Sequence, residues 1–166
     1  MGSRRAVTGM VVASFLVGAG CSEAPERVQM RGYLTDLRPV LYENRLLAEQ
    51  VLRQGAAVYN EDSSPDEVME AWDGTVVPLA QHVHDLAAGI EPPDTVSPDH
   101  RALVSLLDRR QRAYRSLSDA FHLAQEDAFV DAQREVNKVT LEEDRWVRTF
   151  NQRLQIMRLR SLDLVP

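Results

Sequence analysis

The chain has one cysteine, Cys21, in 166 residues, so no disulfide can form within it and packing alone must hold its fold. Lysine is equally scarce: Lys138 stands alone beside 18 arginines. The net charge of −6 excludes nucleic-acid binding by bulk charge. There is no Cys-x-x-Cys-His for haem attachment, no glycine loop to cradle a nucleotide and no Gly-x-Ser-x-Gly elbow to present a nucleophile. Strand-like alternation is almost missing. The most apolar run, residues 10–18, is about half the length that a bilayer span needs.

That short run has a setting. Arg4 and Arg5 precede it, and it ends in Val17-Gly18-Ala19-Gly20-Cys21. A positive start, a short apolar stretch and small residues before a cysteine resemble the signal peptide of bacterial lipoproteins. The resemblance implies that residues 1–20 are cleaved and that the thiol of Cys21 takes a diacylglycerol. It also implies acylation of the new amino terminus. In that family leucine is commonest three residues before the cysteine, where this chain has Gly18. Arg4-Arg5 also resembles a twin-arginine export motif, although ordinary secretion is the expectation. The mature chain would be extracytoplasmic and lipid-anchored, on the outer membrane of a Gram-negative host, where Ser22 after the cysteine permits such sorting, or otherwise on the cell membrane. One acyl chain holds weakly, at about 0.8 kcal/mol per buried methylene, whereas two or three make a lasting anchor. Without Arg4 and Arg5, 17 basic residues face 25 acidic ones and the charge becomes −8.

Residues 21–27 read as the lipidated cysteine and a polar tether, and residues 28–166 as one domain. Apolar residues spaced by threes and fours predict four helices, over about 28–59, 64–90, 98–124 and 127–160. Met30, Leu34, Leu37, Leu41, Ala48, Val51 and Val58 form the first stripe, with a kink expected near Asp36 from Pro39. Ser64, Pro65 and Glu67 make a capping box for the second helix, whose stripe runs through Met69, Trp72, Val76, Leu79, Val83, Leu86 and Ile90. Gly74 and Pro78 weaken its middle, but the stripe keeps its phase and one kinked helix is expected. Ser97 and Asp127 read as the N-caps of the third and fourth helices. Four amphipathic helices joined by short turns predict an all-α, antiparallel, up-down-up-down four-helix bundle.

In that topology the helix-one start shares an end with the helix-four finish. Arg27, Arg31, Arg153, Arg158 and Arg160 then lie at the membrane end, and Glu61, Asp62, Glu67, Glu126 and Asp127 at the far end. Three polar residues interrupt apolar faces at matching depth: Asn44, Arg110 and Glu143. An Arg110–Glu143 pair with Asn44 alongside would satisfy charges too costly to bury singly. Such a layer either fixes helix register or lines a ligand pocket. The histidines make a poor metal set, since His82 and His84 lie two apart and cannot share a helix face. Neither metal nor cofactor is expected.

The domain also resembles the small helical-bundle lipoproteins of bacterial envelopes, among them pilotins, which grip a helical peptide of secretin subunits. No pilotin motif is present, so the likeness is one of architecture. The expectation is a non-enzymatic protein-interaction or structural module, anchored through Cys21, with an envelope protein as partner. The alternative is a small-ligand carrier or sensor that binds in the bundle centre near Arg110 and Glu143.

Overall fold

A computed structural model describes residues 24–60 and 63–162. Cys21 and the signal-like segment before it lie outside the described residues, as do Glu61 and Asp62. Every regular element among the described residues is helical, in line with the all-α expectation.

The first expected helix is two, α1 (Pro25–Asp36) and α2 (Arg38–Tyr59). Helix starts at Pro25, whose fixed φ suits a first turn, so residues 25–27 belong to α1 rather than to a tether. Pro39 has no N–H for the Thr35 carbonyl, and the ladder breaks at Leu37. The break is shallow: Leu37 keeps φ −73° and ψ −16°, donates to the Tyr33 carbonyl at 2.9 Å and accepts from the Leu41 amide at 3.0 Å. Tyr33 and Val40, which the sequence stripe passed over, are buried, while Val58 at its end is exposed.

The second expected helix is α3 (Pro65–Ala71), a π turn (Trp72–Val76) and α4 (Val77–Ala88). Its capping box forms: the Glu67 amide donates to Ser64 Oγ at 3.3 Å, and the Ser64 amide to Glu67 Oε2 at 2.7 Å. Pro78 has no N–H to offer the Gly74 carbonyl and its ring would clash with it. The chain accommodates this by widening the turn, so that the Val77 amide reaches the Trp72 carbonyl five residues back. The expected stripe survives in part, since Val76 and Val83 are fully buried. Ala80 and Ala87 are buried, whereas Leu79 and Leu86, which an unbroken helix would bury, are half-buried.

α5 (Ser97–His122) and α6 (Glu126–Ile156) run without interruption. Their starts differ from expectation. Val96 is the N-cap of α5, because its carbonyl takes the His100 amide at 3.0 Å, and the Ser97 hydroxyl instead accepts from Arg101 Nη1 at 2.7 Å. Gln125 occupies the N-cap of α6, which puts Glu126 and Asp127 in its first turn, where acid suits the helix dipole. Both helices end in the same six-residue cap. The Gln125 amide returns to the Ala120 carbonyl and the Leu159 amide to the Leu154 carbonyl, each at 2.8 Å. Ala124 (φ 51°) and Arg158 (φ 54°) hold the left-handed position that glycine would fill with less strain. α6 therefore stops at Ile156, short of residue 160, and the chain turns back. Asn151 clasps the returning segment, donating to the Leu162 carbonyl at 2.9 Å and accepting from its amide at 2.6 Å.

Packing follows chain order: α2 lies against α4, α4 against α5, and α5 against α6. Met30, Tyr33, Leu37, Leu47, Val83, Leu103, Leu107, Phe150 and Leu154 fill the main core. Each large side chain there contributes about 1.5–3 kcal/mol through burial. Met69, Leu117 and Ala132 form a smaller cluster toward the α3 end.

Candidate functional site

α2, α5 and α6 bring Asn44, Arg110 and Glu143 together inside the core. Their exposures are 2%, 5% and 9%, low for residues that carry charge or an amide. Arg110 Nη1 donates to Glu143 Oε2 at 2.9 Å, and Nη2 donates to the Asn44 side-chain oxygen. Two atoms of the pair, Arg110 Nε and Glu143 Oε1, have no hydrogen-bond partner among the described residues. Burial pushes the Glu143 carboxyl above the ordinary glutamate range, against the opposing pull of Arg110. Tyr114 lies in the same field. Burial raises its hydroxyl, with Arg110 opposing and Glu143 adding. Trp72 closes this region, meeting the Tyr114 ring edge-on at 5.2 Å and donating Nε1 to the Tyr114 carbonyl at 3.3 Å.

One residue along each helix, the chemistry is the same but wetter. Arg109 reaches Glu135 at 2.7 Å and also pairs with Glu142, across the α5–α6 seam. The hydrogen bond from Arg109 holds the Glu142 carboxyl below its ordinary range. The grooves beside this seam are lined by Arg109 with Glu135 or Glu142, and not by Asn44, Arg110 or Glu143. The buried trio is thus a closed polar contact that pairs Arg110 with Glu143 and Asn44 but leaves Arg110 Nε and Glu143 Oε1 without a partner among the described residues.

Compared with known protein families, curated proteins and solved structures, the chain matches none. Its function has to be read from its own residues.

Two further clusters went unseen in the sequence. Tyr33 and His100, 1% and 4% exposed, meet at 3.1 Å between the hydroxyl and Nδ1. Burial holds the His100 imidazole below its ordinary range, with the Ala87 carbonyl opposing, so it is neutral and its Nδ1 accepts a hydrogen bond from the Tyr33 hydroxyl. His84 and His100 line one surface groove, yet His84 turns to Asp85 at 3.0 Å while His100 turns inward. The second cluster joins the π turn to α5. Asp73 accepts from the Ser118 hydroxyl through one oxygen and meets His122 Nε2 at 2.7 Å through the other. These are the residue types of a hydrolytic triad in the wrong order, since the carboxylate separates the hydroxyl from the imidazole. The Asp73–His122 contact ties the π turn to the end of α5. The cluster's one sequence signal was Ser118 and His122 at i, i+4 on a single helix face.

Proposed function

We propose that this chain is a membrane-anchored lipoprotein of a bacterial envelope. Its domain is an antiparallel up-down-up-down four-helix bundle that serves as a non-enzymatic protein-interaction module. The short turns, and the packing of each helical arm against the next in sequence, support that topology. The lipobox-like ending at Cys21 supports the anchor. One observation carries the interaction reading. α2 turns Tyr42, Leu52 and Tyr59 outward within an arc of about 100°, at spacings of ten and seven residues, with exposures of 63%, 67% and 89%. Arg45 and Glu49, paired at 3.0 Å, sit on the face between them. Exposed aromatics framed by polar residues are the usual composition of a docking face. The carrier reading has less support, because the buried polar trio lines neither of the seam grooves beside it.

The test is a photo-crosslinking amino acid placed singly at Leu52, Tyr59 and Gln152 in the living host. We expect one discrete adduct from the two α2 positions, none from exposed Gln152 on α6, and loss of the adduct when Cys21→Ser removes the anchor. Equal labelling at all three positions would contradict a defined docking face.

A further inference from the structure

The α6 cap reverses the chain at Arg158 and lays residues 158–162 alongside α1 and α2. Between them lies an open groove of about 940 Å³. Arg31, Arg38, Arg158 and Arg160 line it, all with exposed side chains. Leu34, Leu41 and Leu159, half-buried against the main core, add apolar surface. Among the described residues no carboxylate lines the groove, and none pairs with Arg38, Arg158 or Arg160. The neighbouring Arg153, by contrast, is neutralised by Asp99 at 2.6 Å and Glu26 at 3.5 Å. The walls are fixed at both sides. Arg27 Nη2 donates to the Arg158 carbonyl at 3.2 Å, and Asn151 clasps Leu162.

We propose that this groove holds the anionic headgroup of a phospholipid, with its phosphate among the guanidinium groups and the upper part of an acyl chain against the leucines. Arginine suits phosphate because its planar fork offers paired donors, and the apolar lining suits the glycerol and acyl junction better than it suits a free ion. The inference rests on the lipid-anchored reading. Cys21 lies four residues before the start of α1, so the anchor would hold this end of the domain at the leaflet surface. Bound headgroups would then set the domain upright and leave the outer face of α2 pointing along the membrane toward a partner.

The experiment uses the full chain carrying Cys21→Ser, so that lipidation plays no part. Binding is measured to phosphatidylcholine vesicles with and without phosphatidylglycerol. The triple variant Arg38→Gln, Arg158→Gln, Arg160→Gln is compared with a control that removes three charges elsewhere, Arg112→Gln, Arg115→Gln, Arg134→Gln. At roughly fivefold per basic residue at an anionic surface, the groove variant should lose on the order of 100-fold of its phosphatidylglycerol preference. The control should lose far less, and both should keep their helical circular dichroism. Equal losses would reduce the effect to bulk charge and overturn the site. No loss in either would give the groove to a peptide or to the chain's own last four residues, and would overturn it as well. Neither result touches the anchor, which is judged separately by the acyl mass on Cys21.

Discussion

Arg110→Met destabilises the protein by about 3–5 kcal/mol at neutral pH, because it leaves a buried carboxylate without its cation. For a chain of this size that is a fall in Tm of about 10 °C or more. The pH dependence identifies the cause. Glu143 in the folded protein already titrates above the ordinary value, since burial outweighs Arg110. A carboxyl with a raised folded pKa contributes its full stability below the unfolded value of ~4.3, and loses it as pH rises through the folded value. Removing Arg110 removes a lowering influence and raises the folded value further. The cost of Arg110→Met is therefore greatest near neutrality and shrinks as pH falls toward ~4.3. Glu143→Leu behaves oppositely. It strands a guanidinium that cannot give up its proton, and it deletes the titration, so its cost relative to wild type grows as pH falls. Urea unfolding of both variants at several pH values reads these two slopes. Parallel slopes would mean that the pair is open to water and not the closed contact described above. A triple replacement by apolar residues of similar volume should recover much of the loss.

Phe150→Ala costs about 3–5 kcal/mol, the range for deleting a buried aromatic ring. Phe150 is 2% exposed, stacks on Trp146 at 4.9 Å and meets Tyr33 edge-on at 6.2 Å, so it joins α6 to α1 across the core. Tyr33→Phe keeps that ring contact and removes only the hydroxyl. It leaves His100 Nδ1 without its donor and should cost about 1–3 kcal/mol. Both are read from urea midpoints at constant slope. A loss below about 1 kcal/mol for Phe150→Ala would show that α1 is not packed on α6 here.

How much of this was legible in sequence depends on what each residue type reveals. Asn44, Arg110 and Glu143 were visible because each breaks an apolar stripe, and helical rise alone puts them at one depth. The third and fourth stripes were equally plain, since no proline or glycine disturbs α5 after Pro98 or any part of α6. Around Pro39 and Pro78 the reading weakened, for a physical reason. A proline removes one ladder bond, and the repair can be a kink or an added residue, which shift the following face by different amounts. At Pro39 the helix kept its handedness through Leu37. At Pro78 the π turn widened the helix, and Val76 and Val83 kept their expected burial while Ala80 and Ala87 are buried more fully than Leu79 and Leu86. The same turn places Asp73 against Ser118 and His122, a contact that no spacing rule anticipates. Tyr33 and His100 were missed because a neutral buried histidine looks like any other histidine until its partner is known. The caps at Ser97 and Asp127 missed because the carbonyl of the preceding residue closed the first turn of α5, and the backbone of Gln125 entered α6 two residues early.

The central proposal is that the domain is held to a membrane through Cys21, and intact-mass spectrometry of the chain extracted from its own envelope tests it most directly. The expected mass is that of the chain from Cys21 onward plus a diacylglycerol and an added acyl chain, with fragmentation placing the lipid on Cys21. A chain that keeps residues 1–20 and an unmodified Cys21 thiol would contradict it.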